Sequence, residues 1–98
     1  HETKEMKLNE LRKEIDAIDD QLAQLLVKRL RIAQRNGLVK KEVLFIQACD
    51  SEREAIVRER ISQNTDDPEI KNHLLKIYEE IMNESKAVQN KIIKNKNF

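Results

Sequence analysis

The N-terminal part of the chain repeats apolar residues at alternating steps of three and four positions. These residues are Leu8, Leu11, Ile15, Ile18, Leu22 and Leu25. Because an α-helix makes one turn in ~3.6 residues, this spacing puts the apolar side chains on one face of a helix. The pattern predicts a first helix from about Lys4 to about Lys40, roughly 50 Å or more in length at ~1.5 Å per residue.

A second, shorter helix is predicted after a connection over residues 43–49 that turns its apolar side chains inward. Asp50 and Ser51 both offer an N-cap, and Ser51 followed three positions later by Glu54 fits a capping box. The apolar face of this helix is expected to consist of Ile56, Val57 and Ile61.

A third helix is predicted to run from Pro68 to the tail of the chain. Asp67 is its expected N-cap, and Pro68 suits the first helical position because the N–H that proline lacks has no partner there in any case. The expected inward face again follows steps of four and three. It comprises Leu74, Tyr78, Ile81, Ser85, Val88 and Ile92.

Composition agrees with a helical chain. The 98 residues include one glycine and one proline, and 38% of them are charged. So few turn-forming residues disfavour a sheet of many strands and favour a few long helices with short connections. We therefore predict an all-α fold in which residues 1–98 form a single domain.

The charge pattern and the single cysteine exclude several classes of function. Nineteen Lys and Arg oppose 18 Asp and Glu for a net charge of +1, without a basic block, and aromatic residues make up only 3% of the chain. These features argue against a nucleic-acid partner. Cys49 alone forms no intrachain disulfide or cysteine-rich zinc site, which fits a reducing compartment. No apolar stretch reaches membrane-spanning length, and we expect a cytoplasmic protein without a membrane partner.

The predicted length of the first helix implies a second chain. A compact domain of this size has a radius of gyration near ~13 Å, far less than the length of the helix. The helix would therefore project into water with its apolar face uncovered. We predict a homodimer in which the partner covers that face.

Several polar residues interrupt the predicted apolar faces. Arg29 takes the position after Leu25 where an apolar side chain is expected, and Lys40 lies about three turns further on nearly the same face. Ser85 interrupts the third helix, with Gln89 one turn later on the same face, and Arg12 lies beside the face of the first helix. Since burying polar and charged groups is costly, their clustering suggests a cavity that holds a polar ligand.

Each of these residues also has an ordinary structural interpretation. Arg29 can extend past the apolar face to water or pair with an acid such as Asp19 of the partner subunit. A lone serine in a helix usually bonds to its own backbone, and Lys40 and Gln89 would most often be solvated. Glu54 has its capping role, and His73 and Cys49 carry no functional signal.

Symmetry favours a ligand site. If the apolar faces of two first helices pair antiparallel, the two-fold axis falls near residues 20 to 21, and Arg12 of one chain faces Arg29 of the other. Within one chain these arginines are roughly 25 Å apart at ~1.5 Å per residue, too far to hold one small molecule. Two converging guanidinium groups favour a carboxylate-bearing anion. The alternative is local neutralisation by Glu10, Glu14 or Asp16.

An ordered set of short segments carries a family resemblance. The segments are Leu11-Arg12, IDAID at residues 15–19, LLVKR at 25–29, GLVK at 37–40, DSERE at 50–54 and IMNESKAVQ at 81–89. In this order and with these spacings the chain resembles the AroQ chorismate mutases over roughly residues 8 to 93. The resemblance implies an intertwined homodimer of three-helix chains with two sites, each taking Arg12 from the neighbouring subunit.

The resemblance also implies an activity: the isomerase would convert chorismate to prephenate in aromatic amino-acid biosynthesis, by a pericyclic rearrangement without a cofactor. Carried over by position, Arg12 and Arg29 would bind the two carboxylates of chorismate, with Ser85 assisting. Lys40 and Gln89 would donate hydrogen bonds to the ether oxygen. The substrate hydroxyl would lie among Asp50, Arg53 and Glu54, with Glu54 in direct contact.

Two alternatives stay open, and the chain departs from the family pattern at two points. Asn36 precedes Gly37 where the family usually has a small apolar residue. The connection before Asp50 lacks a proline that is common in the family and is longer by about one residue than in its compact members. Isochorismate-pyruvate lyases resemble the same pattern but tend to replace Ser85 and Glu54, so these two residues favour a mutase. A non-catalytic helical dimerisation or regulatory module is the other alternative, with the inward polar residues fixing the helix register.

Overall fold

The computed structural model describes residues 3–42 and 50–95, and these residues form three α-helices. Helix α1 spans Lys4–Glu42, α2 spans Ser51–Ser62 and α3 spans Pro68–Lys94. The predicted all-α class and the order of one long, one short and one long helix are confirmed. The first helix continues two residues past its predicted end. The predicted path of residues 43–49, including Cys49, lies outside the described residues.

Helix α2 begins with a different cap from the predicted box. Asp50 is the N-cap in extended conformation, and its Oδ1 accepts a hydrogen bond of 3.0 Å from the backbone N–H of Arg53. Ser51 is therefore already the first helical residue, and the predicted capping box of Ser51 with Glu54 is wrong. The Asp50 carboxylate accepts from the N–H of Arg53, and the N–H of Glu54 donates to the carbonyl oxygen of Asp50. The Glu54 side chain is therefore available for other contacts.

Helix α3 begins as predicted. Oδ1 of Asp67 accepts hydrogen bonds from the backbone N–H of Glu69 at 2.9 Å and of Ile70 at 3.3 Å, and Pro68 follows the cap directly. Its predicted inward face is confirmed, with Met82 added. Met82, Ser85 and Gln89 are buried, and Leu74, Tyr78, Ile81, Val88 and Ile92 are half-buried.

Helix α3 packs against the other two helices, and its contact with the C-terminal part of α1 is especially close. Ala33 and Gly37 of α1 are buried there. A Cβ atom added at Gly37 would lie 3.2 Å from the Cα atom of Gln89 and 3.3 Å from its carbonyl oxygen. The absence of a side chain at Gly37 therefore lets the α3 backbone approach α1 directly beside the turn that carries Lys40.

The N-terminal part of α1 extends away from the other helices. The Cα radius of gyration is 18.1 Å, well above the ~13 Å of a compact domain of this size, and the longest dimension is 65 Å. The predicted apolar face of α1, from Leu8 to Leu25, is 47–61% exposed. Within the ranges 3–42 and 50–95, no helix has both the length and the apolar character to cross a bilayer.

Candidate functional site

A cavity of about 420 Å³ lies where the C-terminal part of α1, the start of α2 and the C-terminal part of α3 converge. Its apolar lining consists of Ile32, Ala33, Val57 and Met82. Its polar lining consists of Arg29, Asn36, Lys40, Asp50, Arg53, Glu54, Ser85, Lys86 and Gln89. Seven of the eight residues that the sequence nominated as a site are therefore brought together.

The first polar pair joins α1 to α3. The half-buried Arg29 donates a hydrogen bond from Nη1 to the hydroxyl oxygen of Ser85, which is only 7% exposed. The Ser85 hydroxyl oxygen thus accepts a hydrogen bond from a residue of the facing helix. Because a guanidinium group has five N–H donors, this bond leaves others for a carboxylate in the cavity.

The second polar pair lies one turn further along α3. Nζ of Lys40 donates a hydrogen bond of 2.9 Å to Oε1 of Gln89, whose residue is also only 7% exposed. The ammonium group can donate three hydrogen bonds, and the amide nitrogen of Gln89 can donate two. Because Lys40 engages the amide oxygen, the Gln89 side chain is held with its oxygen towards α1.

The start of α2 contributes a third group of polar residues. The Asp50 carboxylate caps the helix, and Arg53 lines the cavity one turn later. The Glu54 carboxylate forms ion pairs with Nζ of Lys86 at 3.1 Å and with Nη2 of Arg58 at 3.9 Å. Glu54 is thus connected to α3, and its side chain is only 14% exposed.

The charge of the lining favours an anionic ligand. Four cationic residues (Arg29, Lys40, Arg53, Lys86) and two acidic residues (Asp50, Glu54) give a formal charge of 4 − 2 = +2. A cavity with this surplus attracts a small dianion. No group of three or more His, Cys, Asp or Glu residues is placed to share a metal ion in the described part of the chain.

Arg12 is the one nominated residue outside the cavity. It lies on the exposed N-terminal part of α1, where its Nη1 donates a hydrogen bond of 3.4 Å to Oδ1 of Asn9. Seventeen residues of continuous helix separate it from Arg29, which corresponds to roughly 25 Å at ~1.5 Å per residue. A single chain therefore cannot bring both arginines to one small ligand.

Two polar lining residues were missed by the sequence analysis. Asn36 lies seven positions after Arg29 and four before Lys40, so helical spacing alone could have identified it. Lys86 follows Ser85 and lies one turn from Gln89, but its pairing with Glu54 joins positions 32 apart. Nothing in the local pattern of either helix indicates that contact.

An exposed ion pair adjoins the Glu54 group. Nε and Nη2 of Arg58 each donate a hydrogen bond of 2.8 Å to the Glu79 carboxylate, joining α2 to α3. The hydrogen bond from Arg58 lowers the pKa of Glu79, and the reciprocal bond raises the pKa of Arg58. This two-point contact orients the guanidinium group that faces Glu54.

Comparisons with known proteins identify the family. The comparisons with individual curated proteins and with solved structures give no match. A family model described as chorismate mutase type II matches residues 11–90, that is 80 of the 98 residues. The matched range contains every polar residue of the cavity lining as well as Arg12. The chain therefore belongs to the chorismate mutase type II family.

Proposed function

We propose that this protein is a chorismate mutase, an isomerase that converts chorismate to prephenate in phenylalanine and tyrosine biosynthesis. The observation that carries the proposal is the cavity in which two polar pairs, Arg29 with Ser85 and Lys40 with Gln89, join α1 to α3. We assign the activity to one domain across residues 1–98 of a cytoplasmic protein. Family membership supports the choice of substrate.

Substrate binding follows from the charge of the cavity. Chorismate carries two carboxylates, which suits a lining with a formal charge of +2. Arg29 can form a two-point contact with one carboxylate, assisted by the Ser85 hydroxyl. Such contacts hold the pyruvyl arm over the ring, so that the reacting carbons lie within reach of each other.

The rate acceleration is assigned to Lys40 and Gln89. In the pericyclic rearrangement the carbon–oxygen bond lengthens before the new carbon–carbon bond is well formed, and negative charge collects on the ether oxygen. An ammonium N–H of Lys40 and an amide N–H of Gln89 stabilise that charge more than they stabilise the ground state. By comparison with oxyanion donors, loss of either costs about 10²- to 10³-fold in kcat.

The start of α2 receives the ring hydroxyl. Glu54 accepts a hydrogen bond from it, and Asp50 and Arg53 border the same end of the cavity. The Asp50 carboxylate also caps α2. The cap defines the first turn of the helix and thereby the positions of Arg53 and Glu54.

We further propose that the active form is a homodimer, with Arg12 of the partner subunit binding the second carboxylate. The apolar face of α1 is exposed to water, and an exposed apolar surface of this extent is typical of a protein–protein interface. A second cavity of about 370 Å³ lies between α1 and α3, with an apolar surface from Leu26, Leu30, Ile77 and Ile81 and a border formed by Arg29, Glu80 and Glu84. An α1 helix of a second copy seated there would bring its own side chains to the same arginine.

The direct test is conversion of chorismate by the purified protein, with prephenate identified as the product. Lys40→Ala and Gln89→Ala proteins are the active-site variants, and Asn90→Ala, at an exposed neighbouring position, is the control. We expect turnover by wild type and by the control, and severe loss in both variants. A folded dimer without turnover would leave a non-catalytic module, and release of pyruvate from isochorismate alone would indicate the lyase.

The dimer is tested separately by sedimentation. Ile18→Glu puts a charge in the centre of the exposed apolar face of α1. We expect wild type to sediment as a dimer, and the variant to dissociate and lose turnover. Monomeric, active wild-type protein would refute the dimer.

A further inference from the structure

Lys86 lines the cavity but has no role in the proposed reaction. Its ammonium group crosses from α3 to α2 and lies 3.1 Å from Oε2 of Glu54. The side chains of Lys86 and Glu54 are 28% and 14% exposed, so this ion pair is more shielded than a surface pair.

The two oxygens of Glu54 are in different situations. Oε2 is engaged by Lys86, whereas Oε1 lies 3.9 Å from Nη2 of Arg58, beyond hydrogen-bond distance. Arg58 is itself committed to Glu79 through two hydrogen bonds of 2.8 Å. Lys86 is therefore the closer restraint on Glu54, and Oε1 keeps the capacity to accept a hydrogen bond from a ligand.

The cavity gives a reason why Glu54 needs this restraint. A glutamate side chain turns about three bonds, so one carboxylate without a partner would occupy several rotamers. An unneutralised carboxylate would also repel a dianionic substrate in the same cavity. An ammonium group beside Oε2 restricts the rotamers of Glu54 and neutralises its charge. Oε1 can still accept a hydrogen bond from a ligand.

We propose that Lys86 is a positioning residue that holds the Glu54 carboxylate at the hydroxyl end of the cavity and thereby makes the site selective for a hydroxyl-bearing dianion. The proposal rests on the proposed function, because it takes Glu54 as the acceptor of the ring hydroxyl. Lys86 acts through Glu54 and does not itself bind substrate.

The test uses the 98-residue chain with four variants: Lys86→Met, Lys86→Arg, Glu54→Gln and the Lys86→Met/Glu54→Gln double variant. Lys76→Met is the matched control, because Lys76 is an exposed lysine of the same helix. Two probes are compared by calorimetry. One is a dicarboxylic ether with the shape of the folded substrate and a ring hydroxyl, and the other is the same compound with hydrogen in place of the hydroxyl.

The informative quantity is the ratio of the two affinities, because the loss of one positive charge weakens the binding of both dianions. We expect Lys86→Met to lower the preference for the hydroxyl compound about tenfold, the value of a hydrogen bond to a charged group. Lys86→Arg should restore most of it, and Lys76→Met should leave it unchanged. In the Glu54→Gln protein the preference should already be low, and adding Lys86→Met should change it less than about twofold.

Kinetics provide a second measurement. For chorismate we expect Lys86→Met to raise KM more than it lowers kcat, because Lys40 and Gln89 are untouched. An unchanged preference in Lys86→Met would overturn the proposal. So would a further large loss in the Glu54→Gln background, since that would indicate a direct contact of Lys86 with the ligand.

The same measurements distinguish a failure of the role proposed for Lys86 from a failure of the proposed mutase activity. Wild-type protein that binds the probes without converting chorismate would refute the mutase, and the affinity ratios would still decide the role of Lys86. Wild-type protein that binds neither probe would refute both.

Discussion

At the scale of single residues, the buried polar groups are satisfied by partners on a facing helix. Ser85 accepts from Arg29, and Gln89 accepts from Lys40. In the described part of the chain no buried side-chain nitrogen or oxygen is left without a hydrogen bond. Arg29, Ser85, Lys40 and Gln89 are thus held by neighbours before any ligand arrives, which lowers the cost of ordering these side chains on binding.

Gln89→Leu tests this pairing. The substitution keeps the volume but removes the acceptor for Lys40 and one donor to the ether oxygen. We expect kcat/KM to fall about 10²- to 10³-fold. The free energy of unfolding should fall by about 1–3 kcal/mol, because the part-buried hydrogen bond between Lys40 and Gln89 is lost. Chorismate kinetics and urea unfolding measure the two effects, and a variant with wild-type kcat/KM would contradict the assigned role.

Some site residues could be identified from the sequence, and others could not. Arg29 and Ser85 were detectable because each breaks a regular apolar face, a signal contained in one helix. The sequence could not distinguish Asp50 from Ser51 as the N-cap, because both residue types cap helices well. The extended backbone conformation of Asp50 identifies it as the cap. Lys86 was missed for a related reason: its significance lies in Glu54, on another helix.

At the scale of elements, the approach of α1 to α3 determines whether the polar pairs can form. Gly37 controls this approach, since a Cβ atom there would meet backbone atoms of Gln89 that cannot rotate away. The sequence predicted both helices and their inward faces from local spacing and caps. It could not predict how closely the helices approach, because that distance depends on which small residue of one lies opposite which backbone atom of the other.

Gly37→Ala separates helix stability from site geometry. Alanine favours a helix interior by about 1 kcal/mol over glycine, but its Cβ must displace α3 by a few tenths of an ångström. We expect an unfolding free energy within about 1 kcal/mol of wild type and a kcat/KM lowered about tenfold, as Gln89 shifts from Lys40. Arg35→Ala, at an exposed position of α1, is the control for both measurements. Gly37→Ala with full activity would show that the close approach is not needed.

The ion pair between α2 and α3 should make stability depend on pH. Arg58 lowers the pKa of Glu79 below its ordinary 4.5, so the pair stabilises the fold above pH 4.5. As the pH falls through the lowered pKa, Glu79 becomes protonated and this contribution is lost. We expect Arg58→Gln and Glu79→Gln to be slightly less stable than wild type at pH 7, with the difference vanishing well below pH 4.5. Urea unfolding at both pH values measures it, and a difference that persists in acid would contradict the ion-pair origin.

At the scale of the whole molecule, the isolated chain has two unequal parts. Its C-terminal portion holds a cavity with nearly all the nominated residues, whereas the N-terminal part of α1 carries an exposed apolar face and Arg12. The extended shape, with a longest dimension of 65 Å, was predictable from the length of one apolar repeat. In the proposed dimer a second copy covers that face, and the geometry of one chain does not specify how that copy lies.

Mixing two inactive variants tests whether the site is shared between copies. In the proposed dimer, Arg12→Ala lacks the arginine that binds substrate in the partner's cavity, and Lys40→Ala lacks a residue of its own cavity. After joint unfolding and refolding, about half of the dimers combine one chain of each kind, and one of their two sites is intact by two-fold symmetry. We therefore expect roughly a quarter of wild-type activity from the mixture and almost none from either variant alone. A mixture that forms heterodimers, demonstrated with a tag on one chain, yet stays inactive would place Arg12 outside the site. Activity of Arg12→Ala alone would do the same, because a cavity that works without the arginine of the partner is complete within one chain.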